Sequence, residues 1–522
     1  MKGFNDRIYI EKTTFGECLE AWARDYKDKV AIVEGDRCIN YETFNNKVNQ
    51  LAAGLKSMGL KKGQRVVVQL PNKISFIYTC FALFKLGVVP ILVRPAHREA
   101  DLKHIFETSE AVAYITAERY LGFCYEEMAK NMFNRYDFLQ HVLIDGESSS
   151  FKNLKDVSGD EFVFDTPSYN DMALITLSGG TTGTPKLIPR THGDYIYNVK
   201  MAAKRSKMNG STVYLAALPI SHGFAFANPG ILGTFFSGGK VVLSSNTSPD
   251  EILPLIEQEC VTMTSLVPTA AQLCLETLSW DDSYDISSLE VVLIGGSVLE
   301  ENLARRIIKE MDCKLQQVLG MSEGLICMTS LDDPEEIVIT CQGKPISEYD
   351  EIKVVDEYLN PVSQGEFGEL VTRGPYTIHG YYKASEANKK SFTLDGFYRT
   401  GDRAKLTKEG NVVVTGRMKE RINRGGEKIM PSEVEAYLSK HGDIRESVVV
   451  GVPDEVLGQA IFAFVMTDNE ELNLVHIHEF LISEGVSMYK LPDNMAIIES
   501  WPLTSVGKVD KNALQRMAVE IS

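Results

Sequence analysis

Short apolar runs alternate with amphipathic helical segments along much of this chain, and no other feature constrains its fold as strongly. In the first stretch, Tyr41 to Met58 has the periodicity of a helix, Arg65 to Gln69 that of a buried strand, and Ile74 to Leu86 that of another helix. Farther along, the apolar runs ALITL, KVVLS, TMTSLVP and EVVLIGG are separated by helical segments such as Pro249 to Glu259 and Leu299 to Met311. This alternation predicts an α/β fold with layered subdomains and a largely parallel sheet.

The periodicity shortens after Gly343, where frequent Gly, Pro and Asp residues predict a mainly β subdomain. Beyond it, the segment from Arg417 to Asn423 is the predicted hinge, and Ser432 has the position of an N-cap that opens a helix. A small unit of helices and strands is expected from there to the end of the sequence. We therefore predict a large N-terminal domain, residues 1–417, and a small C-terminal α+β domain, residues 418–522.

Composition limits the classes of protein to which the chain can belong. With 522 residues, 44% of them hydrophobic and 24% charged, it is long enough for about two to four packed units. The formal charge of −17 argues against nonspecific binding of nucleic acid or of an acidic membrane, because phosphate contacts require concentrated Lys and Arg. There is no long apolar run and no signal-type N-terminus, and the nine cysteines form no CxxC pair. We expect a cytoplasmic protein with reduced thiols and with neither a nucleic acid nor a membrane as partner.

The strongest local signal is the segment LSGGTTGTPK, Leu177 to Lys186, which follows an apolar strand. Glycines let backbone amides approach phosphate oxygens, threonine hydroxyls add donors, and a lysine supplies positive charge. The segment is not a Walker loop, because that motif needs Gly directly before Lys, whereas Lys186 follows Pro185. The pattern favours a cradle for nucleotide phosphates, and a flexible surface loop is the alternative.

Four further motifs follow this loop along the chain. They are QQVLGMSEG (Gln316 to Gly324), YRTGD (Tyr398 to Asp402), GRMKERINRGGEK (Gly416 to Lys428) and PLTSVGKVDK (Pro502 to Lys511). Together with the loop, they resemble the ordered motifs of the adenylate-forming superfamily, which includes acyl-CoA synthetases, luciferases and the adenylation domains of nonribosomal peptide synthetases. The resemblance extends over nearly the whole chain and implies an ATP-dependent acid–AMP ligase.

The resemblance implies a role for single residues of these motifs. The residues that would hold the β- and γ-phosphates and the departing pyrophosphate, with Thr182 and Lys186 also catalytic, are Thr181, Thr182, Gly183, Thr184 and Lys186. Glu323 would assist catalysis by holding Mg2+, a hard cation suited to carboxylate and phosphate oxygens. Asp402 would accept both ribose hydroxyls, and Arg417 would reach the ribose or a phosphate. Lys508 would reach between the substrate carboxylate and the α-phosphate during adenylation.

The same resemblance implies a wall for the adenine and for the ring of the acid. The residues concerned are Gly295, Gly296, Ser297, Val318, Leu319 and Ser322. The first three end a predicted strand and would present a flat surface, with Gly295 and Gly296 also facing the acid. Leu319 stands where an aromatic residue often stacks on adenine, so we expect aliphatic contacts there instead.

The resemblance further implies that the small C-terminal domain is mobile. It would rotate about a hinge at Lys419 after adenylation, which removes Lys508 and presents another face for thioester formation. The segment from Arg417 to Lys428 carries five basic and two acidic residues and is therefore locally basic. We expect it to guide a phosphopantetheine arm, with Gly425 and Gly426 leaving room for the thin chain. A solvated charged turn is the alternative interpretation.

The predicted acid-binding segment, LPISHGFAFANPG from Leu218 to Gly230, contains no carboxylate. An amino-acid substrate usually pairs its α-ammonium group with an aspartate there, so we expect an acid without that group. The phrases LIPRTHGDYIY (Leu187 to Tyr197) and RGPYTIHGYYKA (Arg373 to Ala384) are similar to siderophore-type enzymes that adenylate 2,3-dihydroxybenzoate or salicylate. Those enzymes load an aryl carrier protein.

By that resemblance, His222, Gly223, Phe224 and Asn228 would bind the acid. Two of them depart from the subgroup pattern. Gly223 stands where an Asn meets the 2-hydroxyl of the benzoate, and Asn228 stands where a small Ser is usual. A pocket with a relocated amide should recognise a differently placed polar substituent. Salicylate, amino- or hydroxy-substituted benzoates and pyridine carboxylates therefore all stay open as substrates.

Three functions stay open at this point. The first is an enzyme that adenylates an aryl carboxylic acid with ATP and Mg2+ and transfers it to the thiol of a phosphopantetheinylated carrier protein. The second is an aryl-CoA or acyl-CoA ligase that uses free coenzyme A. The third, a noncatalytic nucleotide-binding scaffold, is disfavoured because Glu323, Asp402 and Lys508 are all intact.

Overall fold

The computed structural model describes residues 10–160, 165–178, 185–299, 301–417, 422–429, 431–469, 471–502 and 509–521. The chain forms two compact units. The first comprises Met1–Pro95, Ser109–Leu177 and Leu187–Met418, and the second comprises Ala96–Thr108, Ser178–Lys186 and Lys419–Ser522. Each unit has its own sheet structure and hydrophobic core.

The strands of the described residues are numbered β1 to β27 in chain order. They are Val30–Glu34, Arg37–Asn40, Arg65–Gln69, Val89–Leu92, Ala113–Ala117, Arg119–Tyr120, Phe123–Cys124, His141–Asp145, Lys152–Asn153, Met172–Ser178, Lys186–Thr191, Val213–Ala216, Lys240–Leu243, Met263–Leu266, Val291–Gly295, Lys314–Gly320, Ile326–Met328, Lys344–Pro345, Glu351–Val355, Gly368–Arg373, Tyr398–Leu406, Val412–Arg417, Ile422–Arg424, Glu427–Ile429, Ile444–Asp454, Gly458–Thr467 and Asn494–Ile497.

The helices are numbered α1 to α16 in the same way. They are Phe15–Asp25, Tyr41–Ser57, Ile74–Leu86, Glu99–Ser109, Tyr125–Arg135, His192–Arg205, Gly223–Ala227, Gly230–Phe236, Pro249–Glu259, Pro268–Trp280, Glu301–Glu310, Glu335–Thr340, Ser385–Ser391, Pro431–Leu438, Leu474–Ser483 and Lys511–Ile521. Two short 3-10 helices cover Leu154–Asp156 and Met488–Lys490. No helix in the described part of the chain is long and apolar enough to cross a membrane.

The largest sheet of the first unit has the strand order β18-β17-β16-β15-β14-β12-β13-β1-β2. Its six central strands, from β16 to β1, run parallel, and the outer strands β17, β18 and β2 pair antiparallel to their neighbours. Helices α9, α10 and α11 pack on this sheet through buried side chains such as Ile252, Cys274 and Ile307. Parallel neighbours require crossover connections, and the intervening helices supply them.

Four smaller sheets complete the two units, and the smallest of them pairs β6 with β7. The first unit also contains a seven-stranded sheet, β11-β10-β4-β3-β5-β8-β9, and an antiparallel four-stranded sheet, β19-β20-β21-β22. In the second unit, β24-β23-β26-β25 form a sheet with β27 beside β26. Both faces of that sheet are covered, because Val449 packs in a cluster with residues of α14 and α15 while Val450 packs in another with residues of α16.

The predicted fold class is confirmed, including the parallel sheet, the β subdomain and the C-terminal α+β unit. The strand at Arg65–Gln69 and the helices at Ile74–Leu86 and Pro249–Glu259 begin and end where the periodicity placed them. The N-cap assigned to Ser432 is wrong, because helix α14 begins at Pro431 and contains Ser432. Proline suits the first position of a helix, where its missing N–H is not needed.

A buried carboxyl group lies at the edge of the four-stranded sheet. Asp350 Oδ2 accepts a hydrogen bond of 2.5 Å from Tyr376 Oη, and Oδ1 has no hydrogen-bond partner among the residues that the structure describes. Oδ1 is 2.1 Å from the point that a Cβ on Gly374 would occupy, so the missing side chain makes room for the carboxyl group. Burial raises the pKa of Asp350 to about 7.

We predict that Asp350 makes stability depend on pH. A carboxyl group whose pKa is raised on folding stabilises the folded state below its unfolded pKa, and that contribution is lost as the pH rises through about 7. Asp350→Asn mimics the neutral form, so its melting temperature relative to the unmodified protein should rise by roughly 1–3 °C between pH 5.5 and pH 8.

The matched control is Asp356→Asn. Hydrogen bonds from Asn360 lower the pKa of Asp356, so this group stays ionised across the same pH range. Its effect on the melting temperature should therefore be the same at both pH values. If Asp350→Asn also behaved in that way, Asp350 would not titrate near neutrality.

Candidate active site

The carboxyl ends of parallel strands in the nine-stranded sheet lie at one edge, where ligands bind in open α/β sheets. Strands β12, β14, β15 and β16 are parallel neighbours, and the segments with the predicted acid and nucleotide residues follow the ends of β12, β15 and β16. The predicted wall residues at or just beyond these ends are Gly295, Gly296, Ser297, Val318, Leu319 and Ser322. The fold therefore brings the acid segment and the wall to the same edge.

A close approach at Gly295 joins the acid segment to the wall. A Cβ on Gly295 would lie 2.6 Å from Val318 O and 3.2 Å from Cε1 of Phe224, so only glycine fits between them. The next residue, Gly296, has φ +95°, a backbone conformation that favours glycine. The ring of Phe224 thus packs directly on the end of strand β15.

The predicted acid-binding segment is held in place by Asn72. Its Nδ2 donates to the carbonyl oxygens of Ala216 and Leu218, both at 3.0 Å, and its Oδ1 accepts from the N–H of Ile220 at 2.9 Å. His222 then caps helix α7, because its Nδ1 accepts from the N–H of Phe224 at 3.3 Å. The side chain of His222 is exposed and not part of the core.

Helix α6 forms another side of the site. Thr191 and Asp194 form a capping box at its start, and Asp194 Oδ1 also accepts a bond of 2.7 Å from Arg190 Nε. Arg190 is 2% exposed, and its Nη1 donates to the carbonyl oxygen of Ser322 at 3.2 Å. Its guanidinium group lies 4.6 Å from the ring centroid of Tyr195. Arg190 therefore links the helix to the loop that follows β16.

The same helix contacts the acid segment through a pair of amides. Asn198 Nδ2 donates a hydrogen bond of 2.6 Å to Oδ1 of Asn228. Asn198 is 1% exposed, and Asn228 is half-buried at the end of helix α7. The hydrogen bond from Asn198 therefore fixes the side-chain amide of Asn228 through its oxygen.

Glu323 is buried at the start of a tight loop and is 5% exposed. Its Oε1 accepts a hydrogen bond of 2.9 Å from Tyr381 Oη, and the hydroxyls of Tyr381 and Tyr398 are 3.1 Å apart. The backbone oxygen of Glu323 accepts from the N–H of Ile378 at 2.8 Å. Gly324 follows with φ +132°, where a Cβ would lie 2.3 Å from the oxygen of residue 376. These contacts fix the direction of the Glu323 carboxylate.

Asp402 and Arg417 lie directly opposite each other on the antiparallel strands β21 and β22. Asp402 is 5% exposed, and its N–H donates to Thr400 Oγ1 at 3.0 Å. The register of this pair therefore brings together two residues that the sequence places in separate motifs.

Residues 19–382 match the family described as AMP-binding enzyme, and residues 433–508 match the AMP-binding enzyme C-terminal domain. The chain belongs to the AMP-binding enzyme family. This membership confirms the predicted adenylate-forming enzyme class and the use of ATP.

Individual members of the family share most of their length with this chain. It is 44% identical over 507 residues to the 2,3-dihydroxybenzoate-AMP ligase of Bacillus subtilis (strain 168), covering 97% of this chain and 94% of that protein. It is 42% identical over 517 residues to the pyochelin synthase PchD of Pseudomonas aeruginosa (strain UCBPP-PA14), covering 99% and 94%. The apo structure of MbtA from Mycobacterium smegmatis matches with a TM-score of 0.76 at 36% identity, covering 98% and 96%. The resemblance to the dihydroxybenzoate-activating subgroup is therefore confirmed.

Some family motif residues lie outside the part of the chain that the structure describes. They are Thr181, Thr182, Gly183, Thr184, Lys419 and Lys508. The backbone of Arg417 is described as the last residue of β22, and Lys186 is the half-buried first residue of β11. Within the described ranges, no three His, Cys, Asp or Glu side chains are grouped closely enough to hold a metal ion.

Sequence reasoning missed five polar residues that the structure places at the site. They are Asn72, Arg190, Tyr195, Asn198 and Tyr381. All but Asn72 and Asn198 lie in the two phrases, LIPRTHGDYIY and RGPYTIHGYYKA, that are typical of the enzyme subgroup. For Arg190, Tyr195 and Tyr381, their position within these phrases could have indicated a role at the site. Nothing in the sequence distinguishes Asn72 or Asn198 from an amide on the surface.

We predict that replacement by alanine destabilises the protein at Gly295 but hardly at Gly223. In Gly295→Ala the new methyl group would overlap Val318 O, whereas in Gly223→Ala no atom would be closer than 3.8 Å. We expect the first variant to lose about 1–3 kcal/mol of stability through overpacking and the second less than about 0.5 kcal/mol. Chemical denaturation of the two variants in parallel measures this difference, and equal losses would contradict the described packing of Phe224 against Gly295.

Proposed function

We propose that this chain adenylates a substituted benzoate with ATP and transfers the aryl group to the phosphopantetheine thiol of a carrier protein. The observation that carries this proposal is the packing of a carboxylate-free acid segment, through Phe224, onto the glycine end of strand β15. An aromatic side chain against glycine backbone suits an aromatic acid, and the segment offers no carboxylate to an α-ammonium group. The family members that are 2,3-dihydroxybenzoate-AMP ligases support the same substrate class.

The first half-reaction joins two anions. A carboxylate oxygen of the acid attacks the α-phosphorus of ATP, the bond to the bridging oxygen breaks, and pyrophosphate leaves. We assign the phosphates to the Gly-Thr loop with Lys186, the ribose to Asp402 and Arg417, and the charge between the reacting groups to Lys508. The buried position of Asp402 opposite Arg417 supports the ribose assignment.

We assign Mg2+ to Glu323. Mg2+ is usually bound by one or two carboxylates together with substrate phosphate oxygens, which agrees with the lack of a larger cluster of acidic and histidine ligands in the described ranges. When bound, the ion neutralises charge on the phosphates. The hydrogen bond from Tyr381 would hold the Glu323 carboxylate in one orientation.

The second half-reaction needs a thiol. Its sulfur attacks the acyl carbon of the aryl adenylate, the bond to the phosphate oxygen breaks, and AMP leaves. We propose that the domain boundary lies between residues 417 and 418 and that the C-terminal domain turns there about Lys419 between the two steps. The start of the second compact unit's last segment at Lys419 supports that boundary.

The function is tested by ATP–pyrophosphate exchange with a panel of benzoates and amino acids. We expect exchange with at least one benzoate and none with an amino acid. Lys508→Ala should reduce exchange by about 100-fold or more while a supplied aryl adenylate is still converted to a thioester. Lys511→Ala, which changes a neighbouring lysine that pairs with Glu435, is the matched control and should retain exchange.

Thioester formation is then compared between a phosphopantetheinylated carrier domain and free coenzyme A. Faster transfer to the carrier domain supports the proposed acceptor, and faster transfer to coenzyme A would identify an aryl-CoA ligase instead. Equal loss of both half-reactions in Lys508→Ala would contradict the role given to this lysine. Absence of acid-dependent exchange would contradict the whole proposal.

Tyr381→Phe should weaken the response to Mg2+. Without its hydroxyl, the Glu323 carboxylate loses the bond that orients it, so the Mg2+ concentration for half-maximal exchange should rise by about ten-fold. Tyr382→Phe is the control, because no hydrogen bond joins that hydroxyl to another described residue. An unchanged Mg2+ requirement in Tyr381→Phe, with normal folding, would argue against the metal assignment.

A further inference from the structure

A small polar niche lies beside Gly223. The point that a Cβ on Gly223 would occupy is 3.8 Å from Asn228 Nδ2, 3.8 Å from Tyr195 Oη and 4.0 Å from Ser322 Oγ, and these are the nearest atoms apart from its chain neighbours and the backbone of its own helix. We call the space bounded by these three groups the Gly223 niche. Its three walls come from helix α7, helix α6 and the loop after β16. Glycine leaves room there that any larger side chain would fill.

The hydrogen-bonding groups of the niche have no partners within the described ranges. The carbonyl oxygen of Asn228 is taken by Asn198, and its Nδ2 forms no bond to another described residue. The hydroxyls of Tyr195 and Ser322 likewise form no hydrogen bond in the described structure. Polar groups this close to the interior are usually satisfied, and these three are available to a bound ligand as far as the described residues are concerned.

The amide pair decides which atom of Asn228 faces the niche. Asn198 is buried and donates through Nδ2, so the Asn228 oxygen turns toward it and the Asn228 amide N–H faces away. An amide nitrogen only donates, whereas the two hydroxyls can donate or accept. An acceptor can therefore bond to all three groups of the niche, whereas a donor can bond only to the two hydroxyls. It also lacks a carboxylate that would pair with a cation, since the acid segment has none and Asp194 is bound to Arg190.

We propose that the Gly223 niche binds an uncharged, acceptor-bearing substituent on the aryl ring, such as a hydroxyl, alkoxy or carbonyl oxygen or a ring nitrogen. Asn228 recognises the acceptor, and Asn198 is the positioning residue that fixes which way the Asn228 amide points. This inference rests on the proposed function and adds the substituent that the acid must carry. The resemblance of the acid segment to the enzyme subgroup implies that residue 223 faces the ring position next to the carboxylate, so we expect the substituent there.

The first test compares two acids of the same shape by ATP–pyrophosphate exchange. The methoxy group of 2-methoxybenzoate and the ethyl group of 2-ethylbenzoate have nearly the same shape, and only the methoxy group accepts a hydrogen bond. We expect kcat/KM for the methoxy acid to be higher by about ten-fold. Equal values, with exchange clearly present for benzoate itself, would overturn the niche while leaving the proposed function intact. No exchange with any aryl acid would instead contradict the proposed function.

The second test reverses the chemistry of the niche. In Asn228→Asp, one carboxylate oxygen still accepts from Asn198 and the other faces the niche, so a donor becomes an acceptor. The ratio of kcat/KM for 2-aminobenzoate to that for 2-methoxybenzoate should rise by about ten-fold or more. Asn246→Asp, the same change in a distant turn, should leave the ratio unchanged. An unchanged ratio in Asn228→Asp would overturn the inference.

Asn198→Ala covers the case in which Asn228→Asp does not fold. Without Asn198, the Asn228 amide can turn either its oxygen or its nitrogen toward the niche. The ratio of kcat/KM for 2-methoxybenzoate to that for 2-aminobenzoate should therefore fall toward one. A purely structural role for Asn198 would lower kcat/KM for both acids equally and keep their ratio. That result would also overturn the inference, because the ratio is independent of the fraction of folded enzyme.

Discussion

The ion pair between Arg190 and Asp194 is the interaction on which most of the candidate active site depends. Asp194 completes the capping box of helix α6 with Thr191, and it also neutralises a guanidinium group that is 2% exposed. A buried charge without its partner is strongly destabilising, so the pair holds Arg190 where its Nη1 reaches the carbonyl oxygen of Ser322. One interaction thus sets the distance between helix α6 and the loop that carries Glu323.

The two kinds of sheet bring residues together in different ways. In the parallel sheet, crossover helices return every strand in the same direction, so the segments after β12, β15 and β16 meet at one edge although they are far apart in the sequence. In the antiparallel sheet, register places Asp402 opposite Arg417 across neighbouring strands. The first arrangement gathers the predicted acid and wall segments at one edge, and the second places two motif positions opposite each other in the backbone register.

Sequence periodicity was sufficient for the fold but not for the contacts of the site. The strand at Arg65–Gln69 and the helix at Ile74–Leu86 were predicted because burial imposes a regular period on such segments. The N-cap prediction at Ser432 failed because the helix already begins at Pro431, and proline also fits a helix start. Hydrogen bonds such as Asn198 to Asn228 and Tyr381 to Glu323 join residues 30 and 58 positions apart, and no period encodes which distant side chains will meet.

The glycines of the candidate site differ in whether packing requires them. Gly295 and Gly324 have no room for a methyl group, because the oxygens of Val318 and Tyr376 lie 2.6 Å and 2.3 Å from the positions their Cβ atoms would occupy. Gly223 has that room, so its identity is not required by packing. We therefore expect a small substitution there to leave the strand end and the Glu323 loop in place. The identity of residue 223 is thus independent of the close contacts that shape the strand end and the Glu323 loop, and a departure from the subgroup pattern at this position leaves those contacts intact.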